Sequence, residues 1–228
     1  MSQVLLPPSV FSFLKNIKKH NNRVWFNANK EVYVKQHEAV VHFADILISK
    51  MNHHDKIETP SGKKAVFRIY RDVRFSKDKS PYKSHFGMHL SRSGKLLRGG
   101  YYLHLEPGKC FVGGGFWDPS PEDLKHIREQ IAGDPQPLRK IIQSKSFKNT
   151  FGKLEGEKLV FAPKGFAKDH PAADLLRYKQ FLISRNIPDS VMQSPKADDE
   201  VVKSFRAMRP FFDYMSEILT TNINGEQL

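Results

Sequence analysis

Residues 86–116 read FGMHLSRSGKLLRGGYYLHLEPGKCFVGGGF and carry the clearest secondary-structure signal of the chain. Apolar and polar residues alternate over 86–90, 101–105 and 110–112, which is the period of a β-strand. Turn-forming pairs separate these segments: Ser93-Gly94, Gly99-Gly100 and Pro107-Gly108. No insertion long enough for a crossover helix lies between consecutive segments, so we predict an antiparallel meander rather than βαβ units.

Helical patterns precede and follow the predicted meander. Apolar spacing predicts a short helix capped by Ser9 and a long amphipathic helix over residues 23–52, followed by a strand at 66–70. The remaining predicted elements are helices from Ser120, over 138–143 and over 173–183, a strand over 157–161, and a final helix from Asp198 that Pro210 kinks or ends. The sequence therefore predicts the α+β class, with a central antiparallel sheet flanked by helices in a single domain, residues 1–228.

The composition excludes several classes of protein. The 228-residue chain is 39% hydrophobic and 11% aromatic, enough for a sizeable core and too much for a mainly disordered chain. Its single cysteine excludes a disulfide framework and multi-cysteine metal sites. No apolar stretch approaches the roughly 20 residues of a membrane span, so no membrane partner is predicted. The first residues lack the basic region of a secretory signal, and we expect a cytoplasmic protein.

The charge is strongly positive and unevenly distributed. The formal net charge is +13, and residues 63–98 contain eleven Lys and Arg residues but only two acids, Asp72 and Asp78. Such a field attracts anions, so the predicted partner is a phosphate-bearing ligand, with nucleic acid or a nucleotide as the leading candidate. The alternative is a solvated basic surface that only aids solubility.

The candidate site is the segment FRIYRDVRFSKDKSPYK, residues 67–83. A regular strand here would place Arg71 on a core face, where an unpaired charge is costly. A bulge could turn it outward, a carboxylate such as Asp78 could pair with it, or a bound anion could complete it. Because Pro81 and the turn-forming residues before it cannot continue a central strand, we predict a basic loop after Phe75.

Three interpretations of this segment stay open. As a phosphate-binding site, it would use arginine forks, lysines and hydroxyls, with a glycine from the Gly-Gly-Gly run and an arginine from the helix after Ser120. The predicted ligand-binding residues are Arg68, Arg71, Arg74, Ser76, Lys79, Lys83, Gly114 and Arg128.

In an enzyme acting on a small phosphorylated or carboxylated substrate, Asp72 or Asp78 would be the acid–base group, beside Tyr82 or His85. In that case Arg71, Arg74 and Lys79 would bind the anion. The third interpretation is an internal ion network.

No metal ligand is predicted, and the sequence does not identify a cofactor. His85 and His89 share a face of a predicted strand and could form a triad with Asp72, but the spacing is not diagnostic of a metal site. Cys110 lies on a predicted strand and is interpreted as a core residue rather than a nucleophile. The chain contains neither a P-loop nor a dinucleotide-binding fingerprint.

One motif resembles the signature of a known family. The motif is Arg68-x-x-Arg71-Asp72-x-Arg74-Phe75-x-x-Asp78-Lys79-x-x-Tyr82, and it is similar to that of an uncharacterised conserved-hypothetical family, domain of unknown function 2461. Weaker matches extend over most of the chain: Phe11 to Leu14, Asn21, Asn22, Trp25, Phe26, Tyr101, Tyr102, His104, Pro107, Gly108 and Gly113 to Gly115. The resemblance implies a shared site around the charged motif residues and Tyr82, and it implies no particular reaction.

Overall fold

The structure is a computed structural model that describes residues 4–222 and 224–227. Within these residues the helices are α1 (Pro8–Lys19), α2 (Arg23–Ala28), α3 (Lys30–Met51), α4 (Gly62–Ala65), α5 (Pro121–Gly133), α6 (Gln136–Gln143), α7 (Lys145–Phe151), α8 (Ala173–Leu176), α9 (Asp189–Met192) and α10 (Ala197–Thr220). The strands are β1 (Phe86–Ser91), β2 (Gly100–Leu105), β3 (Phe111–Phe116) and β4 (Phe181–Asn186). They form one antiparallel sheet in the order β1-β2-β3-β4, which confirms the α+β class and the meander.

The chain divides into two compact units, each made of three segments. The first unit contains the residues up to Ser91 together with Tyr102–Val112 and Asn186–Lys203. The second unit contains Arg92–Tyr101, Gly113–Arg185 and the residues from Ser204 onward. Strands β2, β3 and β4 each contribute residues to both units. The single domain stays a prediction.

In the first unit, α1 and α3 pack on the start of β1. The ring centroids of Phe13 and Tyr33 lie 6.4 and 6.5 Å from that of Phe86. The predicted cap at Ser9 is wrong, because α1 begins at Pro8 and the Ser9 hydroxyl donates to Gln36 of α3 at 2.8 Å. The predicted helix over 23–52 is two helices, because Asn29 leaves helical geometry between α2 and α3.

In the second unit, the part of α10 from Ser204 onward packs on Tyr101 of β2 and Gly114 of β3. Tyr101 is fully buried, with ring centroids 5.0 Å from Phe205 and 5.1 Å from Phe212. Helix α10 continues through Pro210 to Thr220, so Pro210 does not end the helix, and the predicted kink stays a prediction. The predicted start of α5 is confirmed, since the Ser120 hydroxyl accepts a hydrogen bond from the backbone N–H of Asp123 at 3.0 Å.

Three other predicted elements are wrong. Segments 66–70 and 157–161 make isolated bridges and no strand, and Val160 and Phe161 in the latter are largely exposed. The helix predicted over 173–183 ends at Leu176, and the chain then enters β4. Phe181 and Ile183 are buried at alternate positions of β4. The sequence pattern of so short an apolar run does not distinguish a strand from the buried face of a helix.

Among the described residues, no helix combines the length and apolar character that a membrane span requires.

Candidate functional site

The basic segment forms an irregular hairpin in the first unit. Two isolated antiparallel bridges hold it: Val66 with Met88 and Tyr70 with Tyr82. Two further backbone hydrogen bonds, from Arg71 to Pro81 at 2.9 Å and from Lys83 to Ile69 at 2.7 Å, continue the pairing. Residues 72–80 therefore form the loop of the hairpin. Its second arm ends near Lys83, three residues before β1 begins at Phe86.

The Arg71 guanidinium contacts three residues of the loop. Its Nη1 lies 2.5 Å from the Asp78 carboxylate and donates to the Ser80 carbonyl at 3.1 Å. Its Nη2 lies 3.4 Å from the Ser76 hydroxyl. Of the three alternatives for this arginine, the structure shows pairing with Asp78. Hydrogen bonds from Ser80 and then from Arg71 lower the pKa of Asp78 to about 2, so this carboxylate is ionised at neutral pH.

Asp72, Arg74 and Lys79 hold the exposed side of the same loop. The Arg74 guanidinium contacts both Asp72 oxygens, with Nε to Oδ1 at 3.0 Å and Nη2 to Oδ2 at 2.7 Å. Hydrogen bonds from the Arg74 side chain and backbone lower the pKa of Asp72. Lys79 Nζ donates to the Val73 carbonyl at 2.9 Å. These three predicted site residues engage the loop itself and do not line the cavity beside it.

A concave cavity of about 310 Å³ lies beside the hairpin. Four of the predicted site residues line it: Arg71, Asp78, Tyr82 and Lys83. It has five further lining residues: Lys18, Asn21, Ser80, Ser84 and His85. The cavity is therefore bordered by three cationic side chains, one carboxylate and several neutral hydrogen-bonding groups.

Among the cations of the cavity, Lys83 is the one without a counter-ion in the part of the chain that the structure describes. Lys18 pairs with Glu106 at 3.0 Å and Arg71 pairs with Asp78, whereas within the described residues Lys83 makes no ion pair. Its Nζ lies 5.5 Å from the centroid of the Phe67 ring. The side chain is half-buried, and its pKa is lowered by that burial and by the charge of Arg68. An ammonium group in this position favours an added negative charge.

Tyr82 anchors the hairpin to the helices. Its ring is buried and stacks on Phe26 of α2, with centroids 4.0 Å apart. Burial raises the pKa of its hydroxyl. The Asn21 side chain, just after α1, donates to the Tyr82 carbonyl at 2.9 Å and accepts from its N–H at 3.1 Å. Asn21 thus pairs with the backbone as a neighbouring strand would.

The remaining predicted binding residues make other contacts. Arg68 is exposed on the hairpin. Gly114 lies within β3 in the second unit, where a Cβ atom would come within 2.5 Å of Phe212 Cζ. Its lack of a side chain makes room for α10. Arg128 of α5 donates to the carbonyls of Leu176 and Tyr178 at 2.9 and 3.0 Å, and burial lowers its pKa.

A second cavity of about 840 Å³ adjoins the end of β2 and the start of β3. Its lining includes His104, Glu106, Cys110 and Asp189. Burial and Asp189 raise the pKa of Cys110 to about 12, so the thiol is protonated at neutral pH, in agreement with its interpretation as a core residue.

Within the described residues, the one group of three potential metal ligands is His85, His104 and Glu106. Neither His89 nor Asp72 belongs to it.

These features define an α+β protein in which a basic hairpin lies beside a cavity lined by cationic side chains. The chain belongs to the family described as Conserved hypothetical protein (DUF2461), which matches residues 9–214. This match confirms the resemblance inferred from the sequence. No curated protein and no solved structure matches the chain.

Proposed function

We propose that the chain binds a small anionic ligand, with a phosphate or carboxylate group, in the 310 Å³ cavity beside the hairpin. The observation that supports this most strongly is Lys83, a half-buried cation of the cavity with no ion pair among the described residues. A charge removed from water is stabilised by an opposite charge in direct contact. A ligand oxygen next to Lys83 Nζ would supply that charge through a charge-assisted hydrogen bond.

The other lining groups fit an oxyanion of limited size. Arg71 and Lys18 add positive charge, although Asp78 and Glu106 neutralise part of it. Ser84 and Asn21 offer hydrogen-bonding groups at the rim. Ligand pockets span roughly 300–1,000 Å³, so a cavity of about 310 Å³ suits a phosphorylated metabolite or a mononucleotide better than a polymer.

Binding has more support than acid–base catalysis by the predicted carboxylates. Asp72 pairs with exposed Arg74 and does not line the cavity. Asp78 does line it, but a pKa of about 2 makes it a weak general base at neutral pH and leaves no proton for general acid catalysis. We therefore propose a binding site and assign no reaction to these two groups.

Nucleic acid is the second candidate ligand, supported by the exposed tip of the loop. Phe75 is 96% exposed, and the Arg74 guanidinium lies 5.8 Å from its ring centroid. Lys77 and Arg68 are exposed cations of the same hairpin. An exposed aromatic ring among cations is typical of proteins that stack on single-stranded bases. This interaction would use the loop tip rather than the cavity.

Replacement of Lys83 by glutamine is expected to abolish most of the proposed affinity. Loss of one charge-assisted hydrogen bond weakens binding by about 10- to 100-fold. The measurement is isothermal titration of the full chain with inorganic phosphate, sugar phosphates and nucleoside monophosphates, and with a short single-stranded oligonucleotide at two ionic strengths.

The matched control is Lys77→Gln, which removes the same charge from a loop position outside the cavity. It should change the affinity for small phosphates by at most about twofold. Equal losses in both variants, or no binding of any small phosphate by the unmodified chain, would contradict a cavity site. Oligonucleotide binding that falls steeply with salt and depends on Lys77 would favour the second candidate.

A further inference from the structure

Three potential metal ligands converge next to the proposed anion cavity. His85 lies just before β1, His104 lies on β2, and Glu106 follows β2 directly. Each of them offers one ligand atom, and these atoms all lie within 4.8 Å of one another. The two imidazole rings are close, with centroids 4.3 Å apart, and His104 Nε2 lies 3.3 Å from Glu106 Oε2. All three residues are partly buried.

These separations are compatible with a shared metal ion after small side-chain movements. Bonds of about 2.0–2.2 Å from zinc to imidazole nitrogen or carboxylate oxygen imply ligand atoms about 3.4 Å apart in a tetrahedral site. The pair formed by His104 and Glu106, at 3.3 Å, already has this spacing. A pair at the 4.8 Å limit would have to shorten by about 1.4 Å, which rotation of half-buried side chains can supply.

Two of the three groups also have a hydrogen-bond partner outside the cluster. His104 Nδ1 lies 3.0 Å from the Tyr102 hydroxyl, which can either donate a hydrogen bond or accept one. When Nδ1 carries the proton and donates it to Tyr102, the lone pair of Nε2 faces Glu106 and is free to bind a metal. The other oxygen of Glu106, Oε1, accepts a hydrogen bond from Lys18 at 3.0 Å.

The donor set selects the class of metal. Two imidazoles and one carboxylate suit zinc and the divalent iron, cobalt and nickel ions, whereas magnesium and calcium need several oxygen ligands. Lys18, which pairs with Glu106, repels any cation at this position, so an ion here needs the imidazole coordination that transition metals favour. Three protein ligands leave one coordination position open, as in catalytic zinc sites rather than structural ones.

We propose that His85, His104 and Glu106 bind one divalent transition-metal ion, best matched by Zn²⁺, with an open coordination position. His104 and Glu106 line the 840 Å³ cavity, and His85 lines the 310 Å³ cavity, so a small molecule in either one would lie beside the metal ligands. The metal site rests on its own geometry and does not require the proposed anion.

The test is a titration of the full, tag-free chain with Co²⁺ after removal of metals by a chelator. We expect visible d–d absorption bands that saturate at one ion per chain and disappear when Zn²⁺ is added. Glu106→Gln and His104→Ala should each weaken binding by about 100-fold or more, and Tyr102→Phe, which removes an outer hydrogen bond, by about tenfold.

The matched control is His89→Ala, a half-buried histidine of β1 outside the cluster, which should bind Co²⁺ as the unmodified chain does. Absence of saturable bands, or equal binding by Glu106→Gln and the unmodified chain, would overturn the site. Loss of binding in His89→Ala to the same extent as in Glu106→Gln would overturn it as well. Circular dichroism identifies a variant that fails to fold, and the nearly isosteric Glu106→Gln then decides the outcome. No phosphate is present, so this result is independent of anion binding.

Discussion

Gly115→Ala is expected to lower the free energy of unfolding by about 4 kcal/mol or more, which places it among the most disruptive single substitutions. Gly115 lies in β3 with φ at +127°, a region that residues with a side chain rarely adopt. An added Cβ would come within 2.1 Å of the Phe181 carbonyl oxygen in β4. Alanine therefore strains the backbone and separates β3 from β4. Chemical denaturation followed by circular dichroism measures the loss.

The control for this substitution is Gly133→Ala at the last position of α5. A methyl group added there would meet no atom within 4 Å beyond its own helix backbone, and the φ angle of Gly133 is not positive. Alanine is the better helix former, so this variant should be unchanged or more stable by about 0.5–1 kcal/mol. A loss below about 1 kcal/mol for Gly115→Ala would contradict the close contact between β3 and β4.

Phe26→Ala is expected to cost about 3–5 kcal/mol of stability and to weaken the binding of any ligand in the cavity. Phe26 is 1% exposed and contacts three tyrosines, with ring centroids 4.0 Å from Tyr82, 5.1 Å from Tyr33 and 5.9 Å from Tyr70. Two of these tyrosines belong to the hairpin, so the cluster holds the hairpin on α2 and α3. Thermal unfolding and titration with inorganic phosphate measure the two effects.

Two companion variants separate loss of packing from a general effect on α2. Val24→Ala, in the same short helix and 82% exposed, should change stability by less than about 0.5 kcal/mol. Phe26→Leu keeps much of the volume and should retain more than half of the stability that alanine loses. If Phe26→Ala is as stable as Val24→Ala, the aromatic cluster does not support the hairpin.

The sheet could be predicted from the sequence because its first three strands are local. Each has alternating apolar residues and a glycine-containing turn within a few residues of its end, and the resulting meander is confirmed. Strand β4 could not be predicted in this way, because its pairing partner β3 lies more than 60 residues earlier in the chain. A short apolar segment such as 181–183 does not reveal a distant partner, and tertiary pairing overrides the apparent helical pattern.

The candidate site could be predicted only where its residues are close in sequence. The loop after Phe75 could be predicted from Pro81 and the turn-forming residues before it. The cationic site could be predicted from the number of Lys and Arg residues in this segment. His85 follows Tyr82 closely and could be assigned from the sequence, and it does line the cavity. Lys18 could not be assigned by local signals, because α1 joins the hairpin through contacts such as Asn21 with Tyr82, 61 residues apart. The same reason applies to Glu106, whose approach to His85 depends on the pairing of β1 with β2.

Occupation of the cavity by an oxyanion is tested most directly by crystals of the full chain soaked in arsenate, a phosphate analogue with an anomalous signal. Crystals are grown without sulfate or phosphate, so that no other oxyanion competes. We expect an anomalous peak inside the cavity, within hydrogen-bond distance of Lys83 Nζ, and its loss in Lys83→Gln crystals. An empty cavity in crystals that show arsenate only on exposed surfaces would contradict anion binding at this site.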